Sequence, residues 1–101
     1  MQRKTMKVFT NEDYGELIGE QLSKYLKKTT DVNDRVRVHK KTGVGTSTIR
    51  DVVYRRNRLT KDNAIAIVEL IKIAKQNCDD TITSATEMRD MFESMITGRI
   101  R

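Results

Sequence analysis

No proline interrupts this chain of 101 residues, and its apolar residues recur three and four apart instead of alternating. Proline breaks helices, and a three-and-four spacing gathers side chains on one helical face. The chain is therefore steered towards packed helices, and its length allows one core over residues 1–101. The expected fold is all-α, a small bundle of about five helices.

Caps and stripes place those helices. Residues 1–9 are basic and read as frayed, with Val8 and Phe9 close enough to tuck into the core. Tyr14, Leu17, Ile18, Leu22, Tyr25 and Leu26 form one stripe, predicting a first helix over about 11–28. The run 29–34 reads as a loop, with Asn33 or Asp34 capping a second helix over 34–42. A third spans 46–55, followed by a turn at 56–58 in which Asn57 tolerates the left-handed conformation. Thr60 caps a fourth over 61–76, whose face holds Ala64, Ile65, Ile67, Val68, Leu70, Ile71 and Ala74. The polar run 77–83 is expected to separate a fifth over 85–97, opened by a Ser84–Glu87 capping box and ended by Gly98.

Charge narrows the function. The net charge is +6, yet residues 35–61 hold nine bases and one acid, while the remainder holds eleven bases and thirteen acids. A solvated helical face mixes both signs; a segment stripped of acids suits a polyanion, whose condensed counterions each bound cation releases. The sequence lacks an apolar run near 18 residues and a signal-peptide pattern, which predicts no membrane span and a cytoplasmic protein. Cys78 has no partner for an internal disulfide, as expected in a reducing compartment.

Residues 35–54 meet the constraints of a helix-turn-helix one by one. Gly43 supplies a residue able to hold positive φ between two helices. Val44 is the apolar residue after it, Ile49 and Val52 with Val53 face inward, and Val38 with Val36 or Val32 anchors the preceding helix. The run from Val38 through Gly43, Val44 and Ser47-Thr48-Ile49 to Val52 resembles the helix-turn-helix of the Cro-like (XRE) regulators of phages and bacteria. The resemblance covers about residues 14–76. His39 stands where that family prefers alanine, Gly45 where a serine or threonine usually caps, and an arginine-rich turn where glycine is usual.

The resemblance implies sequence-specific binding to double-stranded DNA, most simply by a repressor, with the helix 46–55 in the major groove. It places Gly45, Thr46, Ser47, Arg50, Asp51 and Tyr54 at base edges. Arg50 has the fork that fits guanine, and serine or threonine can serve donor or acceptor. Asp51 can accept from cytosine or orient Arg50 or Arg55. Arg35, Arg37, Lys40, Lys41, Arg55, Arg56, Arg58 and Lys61 are the phosphate candidates.

Other chemistry finds little footing. His39 lacks Cys or acid partners at ligand spacing, so no metal and no cofactor are expected, and its role is packing or a hydrogen bond at the helix crossing. Gly43-Val44-Gly45 lacks the following residues of a phosphate loop, and no catalytic triad pattern occurs, so an enzyme is not expected. Met88, Met91, Phe92, Met95 and Ile96 form a last apolar stripe that either folds back on the first helix or joins two subunits; two-fold operator reading in the family favours a homodimer. Two further functions stay open: a DNA-recognition subunit of a phage packaging complex, and a protein- or RNA-binding helical module. The second is weakened because Tyr54 alone among aromatics lies in the basic segment.

Overall fold

The computed structural model describes residues 8–98 and contains four helices and no strand among them. The frayed basic start expected over 1–9 falls outside the described residues except for Val8, which is half-exposed, and Phe9, which packs against the core. Helix α1 covers Glu20–Thr29, α2 Val32–Thr42, α3 Thr46–Val53 and α4 Lys61–Ile96.

The first helix begins nine residues later than its stripe suggested. The preceding backbone is engaged elsewhere: the Gly15 amide donates to the Leu59 carbonyl at 2.7 Å, and the Leu59 amide donates to the Glu16 carbonyl at 2.8 Å. Arg58 adds Nη1 to the Gly15 carbonyl at 2.9 Å. These long-range bonds compete with helical i→i−4 bonds and win, folding residues 11–15 into turns.

Helix α2 starts at Val32, two residues earlier than expected. Asp31 is its cap, accepting the Asp34 amide at 3.0 Å while the Asp34 carboxylate accepts the Asp31 amide at 3.1 Å. An aspartate thus closes a reciprocal box in place of the usual glutamate. At the other end Gly43 holds φ 82° and its amide reaches the His39 carbonyl at 2.7 Å. Helix α3 ends at Val53, with the Arg55 amide bonded to Val52 and the Arg56 amide to Asp51 at 2.8 Å. That pairing is a Schellman end, and its left-handed residue is Arg55 at φ 61°, where Asn57 had been expected. Arg55 is held there by its side chain, whose Nε donates to the Ile18 carbonyl at 2.7 Å.

The predicted fourth and fifth helices are one, 36 residues long and opened by a Thr60–Asn63 capping box. The run 77–83 is polar but contains neither glycine nor proline, and polarity alone does not end a helix. Its side chains support the helix instead: Lys75 to Asp79 at 2.9 Å, Gln76 to Asp80 at 3.0 Å, and the Thr81 hydroxyl to the Asn77 carbonyl at 2.9 Å. Ser84 and Glu87 are therefore mid-helix and cap nothing. Gly98, at φ 83°, follows the helix end.

The core gathers Ile18, Leu26, Val38, Ile49, Val52, Val53, Leu59, Ala64, Ala66, Ile67 and Leu70. The N-terminal part of α4 is its floor, against which α1, α2 and α3 pack. Ser23 is the polar exception on α1, its buried hydroxyl donating to the Val53 carbonyl at 2.6 Å. Beyond about Cys78, α4 leaves the core, and residues 78–93 are all exposed. At about 1.5 Å per residue the helix is roughly 54 Å long, close to the longest dimension of the molecule, 58 Å.

Candidate nucleic-acid interface

The surface formed by α2, the three-residue connection 43–45 and α3 is built on a narrow hydrophobic base. Ile49, Val52 and Val53 are wholly buried, so one side of α3 is committed to the core. At 100° per residue the opposite side of the helix carries Ser47, Arg50, Asp51 and Tyr54, the i, i+3, i+4, i+7 stripe. Ser47, Arg50 and Tyr54 are exposed, and Asp51 is half-buried among them. Thr46 opens the helix half-buried, and Gly45 before it is an exposed N-cap with no side chain to bond the first amides. His39 fixes the connection through Nδ1, 2.9 Å from the Val44 carbonyl, and Val44 itself packs against the core.

Asp51 is the hub of this stripe. Its carboxylate takes Nε and Nη2 of Arg50, both at 3.3 Å, and lies 3.9 Å from Nη1 of Arg56. Of the partners expected for it, Arg50 is engaged; Arg56 takes the place considered for Arg55. These pairs are solvent-exposed and contribute little stability, but they set where Arg50 points. Tyr54 is flanked by two cations, Lys27 Nζ at 5.2 Å and the Arg56 guanidinium at 5.4 Å from its ring centre. Lys27 sits at the end of α1, outside the set of basic residues that the sequence singled out. Only the tertiary approach of α1 to α3 brings it to Tyr54, so no local signal pointed there.

The other basic residues divide into three groups. Arg55 and Arg58 donate to the Ile18 and Gly15 carbonyls and hold the segment before α1, with Arg55 also 3.6 Å from Glu20. Arg37 pairs with Asp34 at 3.5 Å, and Lys41 donates to Glu69 at 2.9 Å. Those bonds from Lys41, and a further one from Lys72, hold the Glu69 carboxyl below the usual glutamate range. Lys40 and Lys61 are exposed, Arg35 is half-buried, and all three make no ion pair among the described residues. Of the phosphate candidates, Lys40, Arg56, Arg58 and Lys61 are exposed, as are Lys27 and Arg50, and Arg37 and Lys41 are each about two-thirds exposed despite their partners.

The methionine stripe lies elsewhere. Met88, Met91, Phe92, Met95 and Ile96 all stand on the projecting end of α4, each more than half exposed. They do not fold back on α1, one of the two placements expected for them.

Among the described residues, no group of three or more His, Cys, Asp or Glu side chains is placed to hold a metal ion, and no helix is long and apolar enough to cross a membrane. Comparison with protein-family models, with curated proteins and with solved structures finds no match.

Proposed function

We propose that this protein binds double-stranded DNA sequence-specifically through a helix-turn-helix made of α2, residues 43–45 and α3, and that it regulates transcription in a bacterial or phage-infected cell. Repression from a dimer in the cytoplasm is the simplest form of that role. The observation that carries the reading is the outward stripe of α3. Ser47, Arg50, Asp51 and Tyr54 project from a helix whose other side is sealed by Ile49, Val52 and Val53.

A stripe so mounted is rigid, polar and narrow enough for the major groove, and its side chains suit base edges. In the free protein the Arg50 guanidinium already lies along the outward stripe, donating to the Asp51 carboxylate. Lys27 and Arg56 beside Tyr54, with Lys40 on α2, supply phosphate contacts that position the helix without specifying sequence. Arg55 and Arg58 support the architecture more than the phosphate surface, since their donors engage the chain itself.

Selection from a pool of random duplexes tests the proposal. A defined, enriched site, lost when Arg50 is replaced by alanine, supports it. A pool that stays random after repeated rounds, with the folded protein present, refutes sequence-specific binding.

A further inference from the structure

The projecting half of α4 presents an apolar face that the described chain leaves bare. Ile82, Met88, Met91, Phe92, Met95 and Ile96 are 52–82% exposed. Ala74, Cys78, Thr81, Ala85, Met88, Phe92 and Met95 alternate four and three apart in a heptad spacing, with Ile82, Met91 and Ile96 flanking them, so the face is a seam suited to another helix. Asp79, Asp80, Glu87, Asp90 and Glu93 fall outside the seam positions, where like charges would not meet across a helix pair.

At its inner end the seam runs into a groove of about 410 Å³ between α1 and α4, lined by Leu22, Tyr25, Leu26, Ile71, Ala74 and Cys78. Tyr25 is half-exposed on its wall. We infer that a second copy of this chain covers the seam, its α4 running antiparallel about a two-fold axis at Ala85. This deepens the dimeric part of the proposed function and does not depend on DNA.

Side-chain size decides the direction. The inner part of the seam is small (Ala74, Cys78) and the outer part is large (Phe92, Met95, Ile96). A parallel pair would stack Cys78 on Cys78 and Phe92 on Phe92, alternating voids with crowded layers, and both are costly. The antiparallel pair sets Phe92 of one copy opposite Cys78 of the other, Ile96 opposite Ala74, and Met88 opposite Ile82. Each copy's bulky end then fills the other's groove beside Tyr25. At the groove the charges are complementary: Glu93 of one copy falls opposite Asn77 of the other, which shares a hollow with Lys28 and lies two residues from Lys75.

Thiol cross-linking tests this directly, because Cys78 is the chain's one cysteine. The wild-type protein should sediment as a dimer, yet form no disulfide-linked dimer on mild oxidation with diamide. Phe92→Cys should give a linked dimer through Cys78 of the other copy. The two thiols cannot close within one chain, being 14 residues and roughly 21 Å apart along the helix. If loss of the phenyl ring separates the subunits, the triple variant Cys78→Ser, Ile82→Cys, Met88→Cys should link instead. A monomeric wild type, a Cys78–Cys78 link in the wild type, or no link in either variant overturns the antiparallel packing. None of these results touches DNA binding, which the duplex selection measures separately.

Discussion

Gly43 and Gly45 flank Val44 in the connection between α2 and α3, and the geometry assigns them opposite responses to substitution. Gly43 holds φ 82°, and a Cβ built there would meet nothing within 4 Å. Its replacement by alanine therefore costs conformational energy alone, about 1–2 kcal/mol for an L-residue held left-handed. Gly45 holds φ −63° and ψ 146°, ordinary extended geometry, and the nearest atom to a built Cβ is Thr48 Oγ1 at 4.0 Å. Serine fits there, restricts the unfolded chain and offers a hydroxyl to the first amides of α3. The expected gain is about 0.5–1 kcal/mol. Urea unfolding followed by circular dichroism reads both changes, and in Tm each kcal/mol is worth roughly 4–8 °C for a domain near this size. Gly43→Ala should lower the midpoint, Gly45→Ser should raise it, and the double variant should fall near their sum. Shifts of the same sign, or a harmless Gly43→Ala, would refute the reasoning that only one of the two glycines is required for its backbone.

Three further outcomes follow from the interface. Arg50→Ala should cost about 1–3 kcal/mol on the selected site and relax preference at one or two base pairs, as read by competition binding; a loss spread evenly over all sequences would make Arg50 a phosphate contact. Lys27→Ala should weaken specific and non-specific duplexes alike and flatten the salt slope by about one unit in an anisotropy titration. The Glu69 carboxyl sits below its usual range because Lys41 and Lys72 bond its ionised form. Its contribution to stability is present above the ordinary glutamate range and is lost as pH falls through the depressed value. Thermal melts should therefore show Glu69→Gln less stable than wild type at neutral pH, the gap closing in acid.

What the sequence made legible was local. Thr60 as a cap, the glycine after α2 and the inward set Ile49, Val52 and Val53 all depend on residues within one turn of one another, so spacing exposes them. What it hid was tertiary or negative. Helix α1 starts late because Leu59, more than forty residues away, takes the hydrogen bonds of Gly15 and Glu16. The break expected at 77–83 was inferred from polar side chains, yet those side chains pair along the helix and sustain it. Lys27 joins Tyr54 only through the packing of α1 on α3. Arg55 adopts the left-handed position that composition would give to Asn57, because its guanidinium is anchored on Ile18. Distant partners, not propensities, decided each of these.

The salt dependence of duplex binding bears most directly on the claim that the α3 stripe and its basic surroundings form a DNA-binding surface. Fluorescence anisotropy of a labelled duplex across a salt series yields the slope of log Kd against log salt, about 0.9 per phosphate neutralised. Lys27, Lys40 and Arg56 are exposed cations on or beside α2 and α3. The predicted result is affinity that falls steeply and linearly, with a slope equivalent to roughly three to five phosphates. A binding constant indifferent to salt, or no duplex binding by the folded protein, would contradict it.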